Sequence, residues 1–130
     1  MKNIAKTISF FFIIALLSTI TLQGEIVSMT SSNVDSLIKN NKGTVVKVYA
    51  DWCGPCKTIT PIYDSVAKQY GSNYTFATLD AGADKALITR FNVTGLPTIL
   101  FFKDGKEVSR KVGLVTEASL KETIQNSFGK

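Results

Sequence analysis

Residues 44–70 constrain this chain more than any other stretch. Thr44 to Ala50 reads TVVKVYA, a β-branched run that is apolar at nearly every position. A strand with one wet face alternates polar and apolar residues, so a run like this belongs to a strand covered on both faces. Directly after it, Cys53 to Tyr70 reads as a helix, with Ile59, Ile62, Tyr63, Val66 and Tyr70 at spacings of three and four. Pro61 inside this helix predicts a kink, and Gly71 is a natural stop. A buried strand feeding an amphipathic helix points to an α/β sheet with helices on both faces.

The remaining segments extend that plan. Ser32 is read as the cap of a helix running to Asn40, with Asp35 in its first turn and Lys42-Gly43 ending it. Tyr74–Leu79 predicts a second strand, Asp84–Phe91 a short helix, Thr98–Lys103 a third strand and Glu107–Val112 a fourth. Asp104-Gly105 is a strong hairpin signal between the last two. Thr116 caps a final helix through Phe128, with Leu120 and Ile124 facing inward. Tyr49, Phe76, Phe91, Phe101 and Phe102 read as packing residues. The order α-β-α-β-α-β-β-α predicts a mixed sheet of four to five strands. Strands separated by helices are expected to pair in parallel, and the hairpin to add an antiparallel edge.

Composition narrows the chemistry. A chain of 130 residues suits one domain. With no histidine, Ser-His and Cys-His pairs and His-ligated metals are excluded. Two cysteines cannot build a four-thiolate zinc or iron–sulfur site, and they close at most one bridge.

The first 24 residues stand apart. Lys2 and Lys6 precede Ile8–Leu22, which carries no charge, and the next charge is Glu25. A basic start, a short apolar run and polar residues beyond it read as a signal peptide or a membrane anchor over residues 1–24. The apolar run is shorter than the roughly 20 residues of a spanning helix. Cleavage after Gly24 would put bulky Leu22 at the −3 position, and no A-x-A pattern is present. An uncleaved tether through residues 7–22 is therefore an alternative, and a start at Met29 would give a cytoplasmic protein. A buried core helix is disfavoured, because Phe10 to Ile14 leaves no polar face. Without this segment the net charge falls from +5 to +3. The lysines are scattered singly, so no nucleic-acid partner is expected.

Asp51-Trp52-Cys53-Gly54-Pro55-Cys56-Lys57 carries the chemistry. Two cysteines two residues apart, at a strand-to-helix junction, can close a small disulfide. Cys53 at the helix N-terminus would have its thiolate stabilised by unpaired N–H groups and the positive dipole end. That predicts an exposed, ionised nucleophile. Cys56, one turn deeper and more buried, would resolve the mixed disulfide formed on Cys53. Pro55 presets φ near the helix start, Gly54 leaves room for a substrate backbone, and Trp52 offers a flat apolar shelf. Lys57 is a candidate for favouring the thiolate, with an ordinary surface charge as the alternative. A purely structural disulfide is disfavoured, because this spacing after a parallel-type strand is the redox context. Thr94-Gly95-Leu96-Pro97-Thr98 suggests a tight turn before a strand, with a cis bond left open.

The chain resembles the thioredoxin family over roughly residues 30–130. WCGPCK, the helix proline at Pro61, GLPT before a strand, the Asp-Gly hairpin and Lys111-Val112-Gly113 before the last helix fall in the family's order. The resemblance implies the thioredoxin fold over residues 29–130 and a Cys53–Cys56 redox disulfide. It implies a cis Leu96–Pro97 peptide and a substrate groove of Trp52, Gly54, Pro55, Leu96, Pro97 and Gly113. No cofactor is implied, and a monomer is expected.

One position departs from the family. Six residues before Cys53 the family usually has a buried aspartate that handles the Cys56 proton; here stands Lys47, and Thr78 matches the usual partner lysine. A buried, neutral Lys47 could serve as the base for Cys56, while a charged one would favour the Cys56 thiolate. The bland alternative has Lys47 snorkelling to solvent without a chemical role.

The leading expectation is an exported thiol–disulfide oxidoreductase that reduces disulfide-bearing proteins. Export to a periplasm or envelope would require a membrane or thioredoxin-reductase-like electron donor. An oxidase or isomerase is the first alternative, and a binding module that uses the groove without turnover is the second.

Overall fold

The computed structural model describes residues 25–129. The elements run β1 Ile26–Ser28, α1 Val34–Ile38, β2 Thr44–Tyr49, α2 Gly54–Tyr70, β3 Thr75–Asp80, α3 Lys85–Arg90, β4 Thr98–Lys103, β5 Lys106–Val112 and α4 Glu117–Phe128. The strands form one sheet in the order β1-β3-β2-β4-β5. The leader read at residues 1–24, with its tether at 7–22, lies outside the described residues. No helix among the described residues is long and apolar enough to cross a membrane.

β2 lies at the centre of the sheet, and its apolar run follows from that position. Val45 packs with Ile59, Tyr63, Leu120 and Ile124, on the face covered by α2 and α4. Val46 and Val48 pack with Val34, Ile38, Leu87 and Phe102, on the face covered by α1 and α3. All three valines are fully buried. Tyr63 is buried too, and its hydroxyl lies 2.9 Å from the Val45 carbonyl and 2.7 Å from that of Ala77. Its proton is shared between two oxygens, so a buried phenol is satisfied.

Two pairings differ from the sequence expectation. β1 was not foreseen; it is three residues long and pairs in parallel with β3. A run of three is too short to show a period, and it borders the segment read as a leader. The sheet thus begins at Ile26, three residues ahead of the domain start read at residue 29. The second difference is β4, which follows a helix yet pairs antiparallel with β2. α3 has six residues, a rise of about 9 Å, against about 20 Å for a six-residue strand. It cannot carry the chain back along β3, so β4 starts at the end where β3 stops. β2 and β3 are parallel, so the start of β4 lies beside the end of β2. β5 returns antiparallel to β4 and finishes at the same end. One short helix therefore gathers Cys53, Pro97 and Gly113 at one end of the sheet.

Two local signals act as the sequence expects, and a third does not. Asp104 and Gly105 make the hairpin turn with positive φ of 53° and 83°, as a two-residue turn requires. Thr116 Oγ1 accepts from Ser119 N–H and caps α4. Ser32 does not cap α1: its hydroxyl pairs with Thr30 Oγ1, and the N-cap position is Asn33. The Asn33 side chain turns away from the helix, accepting from Thr30 N–H and donating to the Ser28 carbonyl.

Candidate active site

β2 ends at Tyr49, and a turn through Ala50 brings the chain to Cys53, whose N–H donates to the Ala50 carbonyl at 3.1 Å. Cys53 is the N-cap of α2, in extended conformation at φ −90° and ψ 109°. Its Sγ accepts the backbone N–H of Cys56 at 3.2 Å. A sulfur at this position meets an otherwise unpaired N–H and the positive end of a 17-residue helix. Pro55 sits in the first helical turn, where its missing N–H leaves no bond unmade. A disulfide joins Cys53 to Cys56, with Cα atoms 5.3 Å apart.

The two sulfurs differ in what they face more than in burial. Cys53 is 6% exposed and Cys56 3%. The expectation of an exposed Cys53 is corrected for the disulfide form: Ala50, Leu96 and the partner sulfur cover it. Cys53 lines a groove of about 590 Å³, together with Trp52, Gly54, Pro55 and Leu96. Trp52 is 78% exposed at its rim, a large apolar surface held in water beside a disulfide. A Cβ placed on Gly54 would meet no atom within 4 Å, so the space above it is open.

Leu96–Pro97 is a cis peptide. Pro97 and Gly113, named from sequence as groove residues, are not among those lining it. They form its support: Gly113 N–H donates to the Pro97 carbonyl at 2.8 Å, tying the end of β5 to the turn before β4. Sequence reasoning missed the apolar wall of Ala81, Ile88 and Val93. Ala81 follows the end of β3, and its N–H donates to the Tyr49 carbonyl. The strand-end rule applied to β3 as well as β2 would have found it.

Cys56 faces a separate crevice of about 190 Å³, lined with Tyr49, Asp51, Lys57 and Thr60. Lys57, read as a modulator of the thiolate, is an exposed residue at this crevice and does not line the groove of Cys53. Lys47 lies beneath. The register pairs it with Thr78, as the sequence comparison anticipated. It is 4% exposed, which overturns the snorkelling alternative: α2 covers this face of the sheet, and the side chain does not extend into open solvent. Its Nζ donates to Thr60 Oγ1 at 3.0 Å and lies 5.6 Å and 5.2 Å from the ring centroids of Tyr49 and Tyr63. Burial pushes the Lys47 pKa down, opposed by the charge of Asp64.

The thioredoxin family model matches residues 25–126. The chain belongs to the thioredoxin family. A thioredoxin of Mycoplasmoides gallisepticum is 35% identical over 94 residues, covering 72% of this chain and 93% of the relative. Protein disulfide-isomerase 1 of Caenorhabditis elegans is 37% identical over 128 residues, 95% of this chain and 26% of that protein. The chain thus spans about a quarter of that relative. Among solved structures, a mutant thioredoxin from Halobacterium salinarum NRC-1 superposes with a TM-score of 0.74 at 30% identity. That match covers 83% of this chain and 95% of the other. Thioredoxin membership and the paired cysteines at the head of α2 make the protein a thiol–disulfide oxidoreductase.

Proposed function

We propose that the protein is an exported reductase of protein disulfides. Cys53 attacks a substrate disulfide, and Cys56 resolves the mixed disulfide. The observation that carries the order of attack is the hydrogen bond from Cys56 N–H to Cys53 Sγ at the helix N-terminus. That donor and the helix dipole favour a thiolate at Cys53 in the reduced protein. Trp52, Gly54, Pro55 and Leu96 receive the substrate backbone, and the exposed indole supplies apolar contact.

The basic, then apolar, first 24 residues support export. This reading sets aside a start at Met29. Such a chain would lack β1, and Met29 is buried with its N–H donating to the Thr78 carbonyl. A charged terminal amine at that buried position would be costly. In an oxidising compartment the disulfide stays closed without a source of electrons. A membrane-held dithiol donor is therefore part of the proposal.

Equilibration of the Cys53–Cys56 pair against glutathione tests the direction. The reductase reading expects a potential well below the glutathione couple. A value near that couple or above it would assign the protein to oxidation or isomerisation.

A further inference from the structure

A lysine in the middle of a buried strand needs a reason. Lys47 projects from β2 onto the face covered by α2. Among the described residues the ion pairs are Arg90–Asp35 and Arg110–Glu107, so no carboxylate pairs with it. Its polar partner is a neutral hydroxyl, Thr60 Oγ1, at 3.0 Å. Two aromatic faces complete its surroundings. Burying an ammonium without a counter-charge is costly, and ring faces offset only part of that cost. This environment suits a neutral amine better than an ammonium.

The same hydroxyl leads to the active site. Thr60 Oγ1 donates to the Cys56 carbonyl at 2.9 Å, so the amine is anchored to the turn of α2 that bears Cys56. Thr60 and Cys56 both line the crevice of about 190 Å³, which has room for several waters. The groups around Lys47 can be named element by element. β3 contributes Thr78 and β4 Ile99, neither of which titrates. α2 contributes Thr60, Tyr63 and Asp64, and β2 itself contributes Tyr49. Asp51 and Lys57 stand at the crevice. Burial pushes the hydroxyls of Tyr49 and Tyr63 up, so both stay protonated through neutral pH.

We propose that Lys47 is the proton acceptor for Cys56 in the step that closes the disulfide, with Thr60 holding its amine in place and crevice water carrying the proton. This rests on the reading that Cys56 resolves the mixed disulfide. The step balances as follows. The Cys56 thiol gives its proton to the Lys47 amine, leaving a thiolate and an ammonium. The thiolate attacks Cys53 Sγ, forming the Cys53–Cys56 bond and breaking the bond from Cys53 to the substrate sulfur. The substrate sulfur leaves with the electron pair as a thiolate. Cys53 and Cys56 together lose two electrons, and the substrate disulfide gains them. The ammonium then returns its proton to solvent or to the departing thiolate.

Stopped-flow reaction of the reduced protein with 5,5′-dithiobis(2-nitrobenzoate) separates the two steps. The first phase reports attack by Cys53, and the second reports resolution by Cys56. Wild type is compared with Lys47→Met and Lys47→Arg over a range of pH. Arginine supplies donors and a permanent charge but cannot take up a proton. The expected result is a second phase slowed at least about tenfold near pH 7 in both variants, at the low end of general-base effects. Its pH midpoint moves to the alkaline side, and the first phase is kept. Thr60→Val, which keeps the side-chain shape, should shift the second phase in the same direction, and it serves if a Lys47 variant fails to fold. An unchanged second phase and midpoint in Lys47→Met would overturn the proposal. So would a second phase kept in Lys47→Arg and lost in Lys47→Met, which would leave Lys47 as a charge alone. If wild type shows no first phase faster than an ordinary thiol, the assignment of Cys53 fails, and the role of Lys47 falls with it.

Discussion

The backbone N–H of Cys56 donates to Cys53 Sγ across 3.2 Å. The donor belongs to the main chain, so it survives replacement of the Cys56 side chain. Cys56→Ser is expected to keep a fast-reacting Cys53 and to stop at the mixed disulfide. Reaction with an aromatic disulfide, followed by mass spectrometry, should show one product thiol released and one adduct retained on Cys53. Release of a second product thiol would contradict the division of roles.

Gly54 faces open space, and no atom lies within 4 Å of a Cβ built there. Gly54→Ala is expected to change stability by no more than about 0.5 kcal/mol. The added methyl would stand where substrate backbone approaches, so kcat/KM for insulin reduction should fall by about tenfold. Thermal melts and insulin turnover check the two parts separately.

Gly43 is held by a contact far away in sequence. A Cβ there would come within 2.6–2.8 Å of the Phe128 ring, and its φ of +125° is strained for other residues. Gly43→Ala is expected to destabilise the fold by about 2–4 kcal/mol. Urea unfolding measures it, with Gly54→Ala as the tolerant control.

Lys47 also shapes stability. Its folded pKa is lowered by burial, so the unfolded chain binds the proton more tightly. Stability therefore rises as pH climbs from that lowered value toward the ordinary lysine value. At pH 6 the oxidised Lys47→Met variant should be more stable than wild type by about 1–2 kcal/mol. That advantage should shrink by pH 10. Denaturant unfolding at the two pH values checks this, and an equal difference at both would contradict it.

The parts of the fold that show in the sequence are those set by local pattern. The β2 run, the α2 period, the Asp104-Gly105 turn and the Thr116 cap each follow from a few adjacent residues. The direction of β4 depends on the length of α3 relative to a strand, a relation between elements. β1 is stabilised by its pairing with β3 and carries too few residues to announce itself. At the site, WCGPCK and GLPT mark the cysteines and the turn opposite them. The wall of Ala81, Ile88 and Val93 comes from parts of the chain brought together by the strand-end geometry, and nothing local marks it. Lys47 is visible as an oddity in an apolar run. Its link to Thr60 and the crevice at Cys56 required α2 to be packed across it.

The account turns on Cys53 being a thiolate at neutral pH in the reduced protein. Its rate of alkylation by iodoacetamide, followed by mass spectrometry from pH 5 to pH 10, measures this directly. The expected midpoint lies below the ordinary thiol value of about 8.5, with Cys53 modified ahead of Cys56. A midpoint at or above that value would contradict the account.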